Sequence, residues 1–110
     1  MEEIHKYFGE VDMLIHCGSQ LQLGNIGDVK SQGISELLNV NVLGYYTLFS
    51  SFLKYRNHNF SQLIVINSST AYNPKAGKGA FSATNHVLKA LTNAFRDENN
   101  ENRFRATSLF

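Results

Sequence analysis

The chain has 110 residues, of which 43% are hydrophobic and 17% charged, and its formal net charge is +1. Such a chain suits one domain with one core and excludes a disordered segment. With no basic stripe, no apolar run of membrane-spanning length and a single Cys17, it is expected to bind no nucleic acid, cross no membrane, form no internal disulfide and reside in a reducing, cytoplasmic setting.

Met1–Phe8 places Ile4, Tyr7 and Phe8 at helical spacing, and Gly9 is a plausible C-cap. The segment is acidic and amphipathic, without the basic start and apolar stretch of a signal peptide. Val11–Ile15 (VDMLI) is a short apolar run that reads as a buried strand. The glycine-containing loop that follows holds Ser31, placed to cap the next helix. From Ile34 to Leu53, apolar Ile34, Leu38, Val42, Tyr45, Phe49 and Phe52 recur every three or four residues and predict a long helix. Leu63–Asn67 (LIVIN) is continuous and β-branched, as in a strand buried on both faces. The loop SSTAYNPKAGKG contains the only proline, Pro74. Ala80–Phe95 is helical again, with Ala80, Ala83, Val87 and Leu91 on one side. RDENNEN is a charged, solvated exit, and FRATSLF is a last strand candidate.

Helices alternating with strands predict an α/β fold with about three parallel strands. Right-handed crossovers put the connecting helices on one side of a sheet whose strands lie in sequence order. Parallel sheets are normally covered on both faces, yet these helices suffice for one. An open face and two free edges invite association.

Several stretches carry a family resemblance. VDMLIHCGS looks like a strand end of the form D-x-L-V-N-N-A-G. NVNVLGYY resembles an N-x-x-G stretch of a long central helix, and QLIVINSS resembles a strand that delivers a catalytic serine. GAFSATNHVLKALT resembles Y-S-A-S-K-x-A-x-x-x-L-T, and RFRATSLF looks like the next strand. In this order and spacing the chain resembles the short-chain dehydrogenase/reductase family of NAD(P)-dependent oxidoreductases. The resemblance implies a partial, Rossmann-like three-layer fold over residues 1–110. It lacks the N-terminal glycine-rich nucleotide-binding half and the C-terminal substrate lid. Gly24-Asn25-Ile26-Gly27 and Gly77-Lys78-Gly79 do not fit the glycine-rich turn, since neither follows a first strand into a helix.

In that family a hydride passes between nicotinamide and a carbonyl or carbinol carbon. A tyrosine moves the proton, and a lysine four residues later, on the same helix face, lowers the tyrosine pKa. A serine bonds the reacting oxygen, and an asparagine supports a proton path. By resemblance the serine is Ser68, with Ser69 a close second, and the asparagine is Asn41. The tyrosine position holds Phe81 and the lysine position Asn85, which offer neither proton nor charge. Loss of acid–base catalysis is worth about 10²- to 10⁴-fold. Among surrogates, Tyr72 lies in the loop after Ser68, His86 points about 100° away from Asn85 on an ideal helix, and Lys89 is one turn too far.

His16, Cys17 and Gly18 stand where the family contacts its cofactor, NAD or NADP. Cys17 reads either as a nucleophile beside His16 or as a small residue at a buried strand end; adjacent strand residues face opposite sides, which favours the second. Histidine and cysteine spacing predicts no metal site. Asn41 reads equally as a site residue or as a helix-interface polar group bonded to backbone, and Ser68 as a site residue or a turn opener. Arg96-Asp97-Glu98 is a solvated helix end. In the family the helices matching 34–53 and 80–95 often pack against a second subunit. Tyr46, Phe49, Phe52 and Leu88 are the residues for such a homo-oligomer, or they cover this chain's own sheet. Three functional expectations stay open: a truncated, impaired oxidoreductase acting on a small carbonyl or alcohol; a non-catalytic interaction module; or part of a longer active dehydrogenase.

Overall fold

The computed structural model describes residues 1–71, 73–100 and 103–110. Three parallel strands, β1 (Met13–His16), β2 (Ser61–Ile66) and β3 (Phe104–Leu109), form one open sheet in the order β1-β2-β3. The helices are α1 (Glu2–Phe8), α2 (Ser31–Leu38), α3 (Gly44–Tyr55) and α4 (Gly79–Asn99). Sequence order of neighbouring parallel strands is the arrangement that keeps right-handed crossover helices on one side.

Side chains alternate across each strand. One face carries Leu14, Leu63, Val65, Phe104 and Ala106, and packs under α3 and α4. Leu14 lies opposite Leu63, and Leu63 opposite Ala106, so the covered row runs across all three strands. Phe49 of α3 is completely buried and stacks on Phe95 of α4, with ring centroids 3.7 Å apart. Phe52, Leu88 and Tyr45 complete this core. Each large apolar side chain buried here stabilises the fold by about 1.5–3 kcal/mol. The opposite face carries Met13, Ile15, Ile66 and Leu109, all exposed. The β2 run is therefore buried on one face and not on both. Of the three layers of a doubly wound fold, this chain builds the sheet and one helical layer.

Several boundaries move. Val11 makes an isolated parallel bridge to Arg56, and regular pairing starts only at Met13. β2 begins at Ser61, two residues earlier than its hydrophobicity suggests, because Ser61 and Gln62 pair with Phe104 and Arg105. Ser31 is the first residue of α2 rather than its cap; Lys30 precedes the helix, and no side chain caps it. Gly9 does end α1, at φ +80°, donating its N–H to the His5 carbonyl. The expected helix over 34–53 is continuous in direction but contains a π turn at Asn39–Leu43, where Gly44 N–H reaches back to the Asn39 carbonyl. Helix α4 runs to Asn99, so Arg96-Asp97-Glu98 forms its exposed last turns.

Candidate functional site

The site lies beyond the carboxyl end of β2, where ligands of open α/β sheets bind. Ser68 follows the strand and is half-buried. Its backbone N–H donates to Asn67 Oδ1 at 2.8 Å, and Asn67 Nδ2 donates to the Asn85 carbonyl at 3.2 Å. A short 3₁₀ turn, Ser69–Ala71, then carries Thr70 back under α4. Thr70 donates to Ser68 Oγ through both its backbone N–H, at 3.3 Å, and its hydroxyl, at 3.1 Å. Asn85 Nδ2 donates to Thr70 Oγ1 at 2.8 Å, and the Ser82 hydroxyl donates to the Thr70 carbonyl. Thr70, Ser82 and Asn85 are all buried.

Asn41 occupies the centre of the π turn and is fully buried. Its Oδ1 accepts the Gln20 N–H at 2.7 Å, and its Nδ2 donates to the Gln20 carbonyl at 2.9 Å and to Thr84 Oγ1 at 3.2 Å. The side chain thus clips the loop after β1 to α4, as the helix-interface reading expects. A π turn widens the helix by one residue, and such turns are frequent at functional sites. The same loop also docks ahead of α4. Gly24 N–H donates to the Gly77 carbonyl at 2.9 Å, and a Cβ at Gly79 would approach Ile26 Cδ1 to 2.9 Å. Glycine at position 79 is what allows this contact.

The structure brings Ser68 and Asn85 into one network through Thr70, a residue that sequence reading passed over. The available signal was its place two residues after Ser68, within reach of the turn back to α4. Phe81 is half-buried, one helical turn before Asn85. His86, next to Asn85 in sequence, is exposed and bonds the Ser82 carbonyl through Nδ1 at 2.8 Å, so it is turned along its own helix. Tyr72 lies outside the described residues.

At the end of β1, His16 is half-buried with its ring 4.9 Å from that of Tyr45. Its buried Nδ1 has no hydrogen-bond partner among the described residues. Burial holds the imidazole below its ordinary pKa, which favours the neutral ring. Burial raises the Tyr45 phenol, against the effect of its 2.6 Å hydrogen bond with Thr92 Oγ1. Cys17 is exposed, not a buried strand-end residue, and it follows a strand whose Met13 and Ile15 are left uncovered by the described residues. Gly18 is exposed too, with open space around the position of a Cβ. Among the described residues no group of three or more His, Cys, Asp or Glu side chains is arranged to hold a metal, and no helix is long and apolar enough to cross a membrane.

A nicotinamide cofactor would find open backbone at Cys17 and Gly18. It would find no cation at position 85, where the amide nitrogen is already committed to Thr70. The residues present therefore do not fit the cofactor's ribose and proton-transfer chemistry, and no reaction step follows from them. What the structure shows here is a neutral hydrogen-bonded network that joins Ser68, Thr70 and Asn85.

Comparison with known proteins matches this fold. A structure of a short-chain dehydrogenase from Streptomyces avermitilis superposes with a TM-score of 0.92 over 97% of this chain, at 22% identity, and 40% of that protein is covered. A short-chain dehydrogenase/reductase from Serratia marcescens gives 0.90 over 97%, at 18% identity, covering 44% of its length. An alcohol dehydrogenase from Thermococcus sibiricus, complexed with 5-hydroxy-NADP, gives 0.87 over 96%, at 21% identity, covering 45%. These likenesses show the fold, and the chain spans less than half of each protein. The family model for short chain dehydrogenases matches residues 1–109, and the chain belongs to that family.

Proposed function

We propose that this chain is an impaired short-chain oxidoreductase segment, which keeps the oxygen-binding side of a carbonyl/hydroxyl hydride-transfer site and has lost its proton-transfer pair. The single observation that carries the reading is the hydrogen bond from Asn85 Nδ2 to Thr70 Oγ1. The lysine position holds a neutral amide that is buried and bonded away, while position 81 has no hydroxyl. Because the chain spans 40–45% of the structures cited above, NAD or NADP binding and turnover are proposed only for these residues within a whole domain.

The test is carbonyl reduction with NADPH by these residues joined to the remainder of a family domain. The expected rate is at background, and Phe81→Tyr together with Asn85→Lys raises it by about 10²-fold or more. Ordinary enzyme rates from the unaltered residues would overturn the reading.

A second reading is favoured by the exposed apolar sheet face of Met13, Ile15, Ile66 and Leu109. It is a non-catalytic module that associates with itself or with a full-length relative. Self-association through the outer faces of residues 34–53 and 80–95 belongs to this reading. Phe49, Phe52 and Leu88 are consumed by the chain's own core, which leaves Tyr46, with Val40 and Leu43, exposed for it. A chain that stays monomeric at high concentration and fails to bind a full-length relative in a pull-down would remove this alternative.

A further inference from the structure

The strand register orders the open face of the sheet in rows, because side chains alternate along each strand. Met13, Gln62 and Arg105 make the first row, Ile15, Ile64 and Thr107 the second, and Ile66 and Leu109 the third. Arg105 is exposed and is the only charged residue among them. Met13, Ile15, Ile66 and Leu109 are left half-exposed by the described residues, whereas all-parallel sheets occur with both faces covered. At about 4.8 Å between strands and 3.3 Å per residue, this face spans on the order of 300 Å² in plan. Two such faces, with the relief of their side chains, reach the small end of specific interfaces, about 1,000 Å² in total.

We infer that this face packs against the same face of a second copy of the chain, about a two-fold axis parallel to the strands, so that Arg105 of each copy lies over Met13 of the other. The inference rests on the interaction-module reading and names its partner. A partner must offer an uncovered apolar surface of matching shape. A whole family domain does not, since a parallel sheet in a complete domain is covered on both faces, and this chain spans less than half of each structure cited above. A second copy does, and two-fold symmetry makes the patch its own complement. With the axis along the strands, like rows meet. Ile64 falls on Ile64, Ile66 on Ile66, and the Gln62 amides can bond each other. Met13 then lies along the aliphatic stem of Arg105, whose charged head reaches the edge of the interface. An axis across the strands would set Ile66 over Gln62 and Leu109 over Arg105, which buries polar groups against apolar ones. Aligned sheets about 10 Å apart are the ordinary geometry of two stacked sheets. The small area makes the dimer weak, in the micromolar range.

The test is sedimentation velocity on the 110-residue chain and on two variants of the open face. Met13→Lys sets an ammonium over Arg105 of the second copy and is expected to weaken self-association about tenfold. Mixed with an Arg105→Glu chain, the Met13→Lys chain gains an ion pair between copies. That heterodimer is expected to be about tenfold tighter than the Met13→Lys homodimer, an advantage that salt reduces. Both positions are exposed, so both variants should fold. Dilution of the unaltered chain, followed by NMR, needs no variant. The methyl signals of Ile15, Ile64 and Ile66 are expected to shift together, while those of Val40 and Leu43, exposed on the helical side, stay still. A mixture no tighter than the Met13→Lys homodimer overturns the inference. So do dilution shifts at Val40 and Leu43 in place of the sheet, or a tighter complex with a whole short-chain dehydrogenase than with a second copy. Those outcomes leave the interaction-module reading standing, whereas a chain that neither self-associates nor binds such a relative removes both.

Discussion

Asn41 closes a two-sided hydrogen bond on the backbone of Gln20, accepting its N–H at 2.7 Å and donating to its carbonyl at 2.9 Å. One buried amide thereby fixes the loop after β1 to the π turn, and through Thr84 to α4. Asn41→Ala leaves the Gln20 N–H and carbonyl and the Thr84 hydroxyl each short of a partner. We expect a loss of about 2–3 kcal/mol in chemical denaturation, in line with the cost of unmet buried polar groups. Hydrogen exchange at the Gln20 amide should accelerate in the native state. An unchanged exchange rate there would show that the clip does not hold the loop.

Thr70 and Asn85 should be energetically coupled, since each is the other's buried partner. Thr70→Val strands the Asn85 amide and is expected to cost about 1–3 kcal/mol. Asn85→Leu in the same background removes the stranded donor and should recover part of that loss. A double-mutant cycle would read this as a coupling of about 1 kcal/mol. Strict additivity would mean that the bond contributes nothing to stability.

The aromatic core gives a harder test. Phe49→Ala removes a ring that stacks on Phe95, meets Phe104 edge-on and lies tilted against Phe52, in a fully buried place. The expected cost is about 3–5 kcal/mol. Domains are stable by about 5–15 kcal/mol, so a chain with one helical layer has little to spare. The variant should be largely unfolded by circular dichroism at room temperature, while Tyr46→Ala, on the exposed side of the same helix, should fold.

Burial lowers the His16 pKa in the folded chain, and the sign of its pH effect follows. The unfolded chain binds the proton more readily, so stability is fully present above the ordinary imidazole value of about 6.5. It falls as pH drops below that value and levels off below the depressed folded pKa. His16→Gln should flatten this part of the stability curve, measured as urea midpoints between pH 7.5 and 5. A curve of the same slope in the variant would assign the effect to other groups.

The order of elements was legible because the apolar residues switch cleanly between helical spacing in Ile34–Leu53 and continuous runs in Leu63–Ile66. The family pattern pointed to Ser68, Asn41, Phe81 and Asn85 as site positions, and the structure places Ser68 and Asn85 in one hydrogen-bonded network through Thr70. Three features were not legible, each for a physical reason. The π turn at Asn39–Leu43 shifts the buried stripe by one residue, so that Leu37 is buried and Leu38 exposed, and the two adjacent leucines hide that shift from periodicity. Thr70 gains its importance from α4, fifteen residues away in sequence, through a side-chain bond that no local pattern encodes. Cys17 looked like a buried strand-end residue because hydrophobic runs do not say which face of a sheet is covered.

The two faces of β1 give the most direct check on the open sheet. Leu14 belongs to the covered face and packs against the core, whereas its neighbour Ile15 is exposed by more than half. Ile15→Lys replaces an apolar group that touches solvent, and its effect on stability should stay within about 0.5 kcal/mol. The same change should lower concentration-dependent association in sedimentation velocity, because a charge on an exposed apolar face opposes its burial against another molecule. Leu14→Lys buries an unpaired charge and should unfold the chain. If Ile15→Lys destabilises as much as Leu14→Lys, the sheet has a cover on its second face, and the interaction-module reading loses the surface on which it depends.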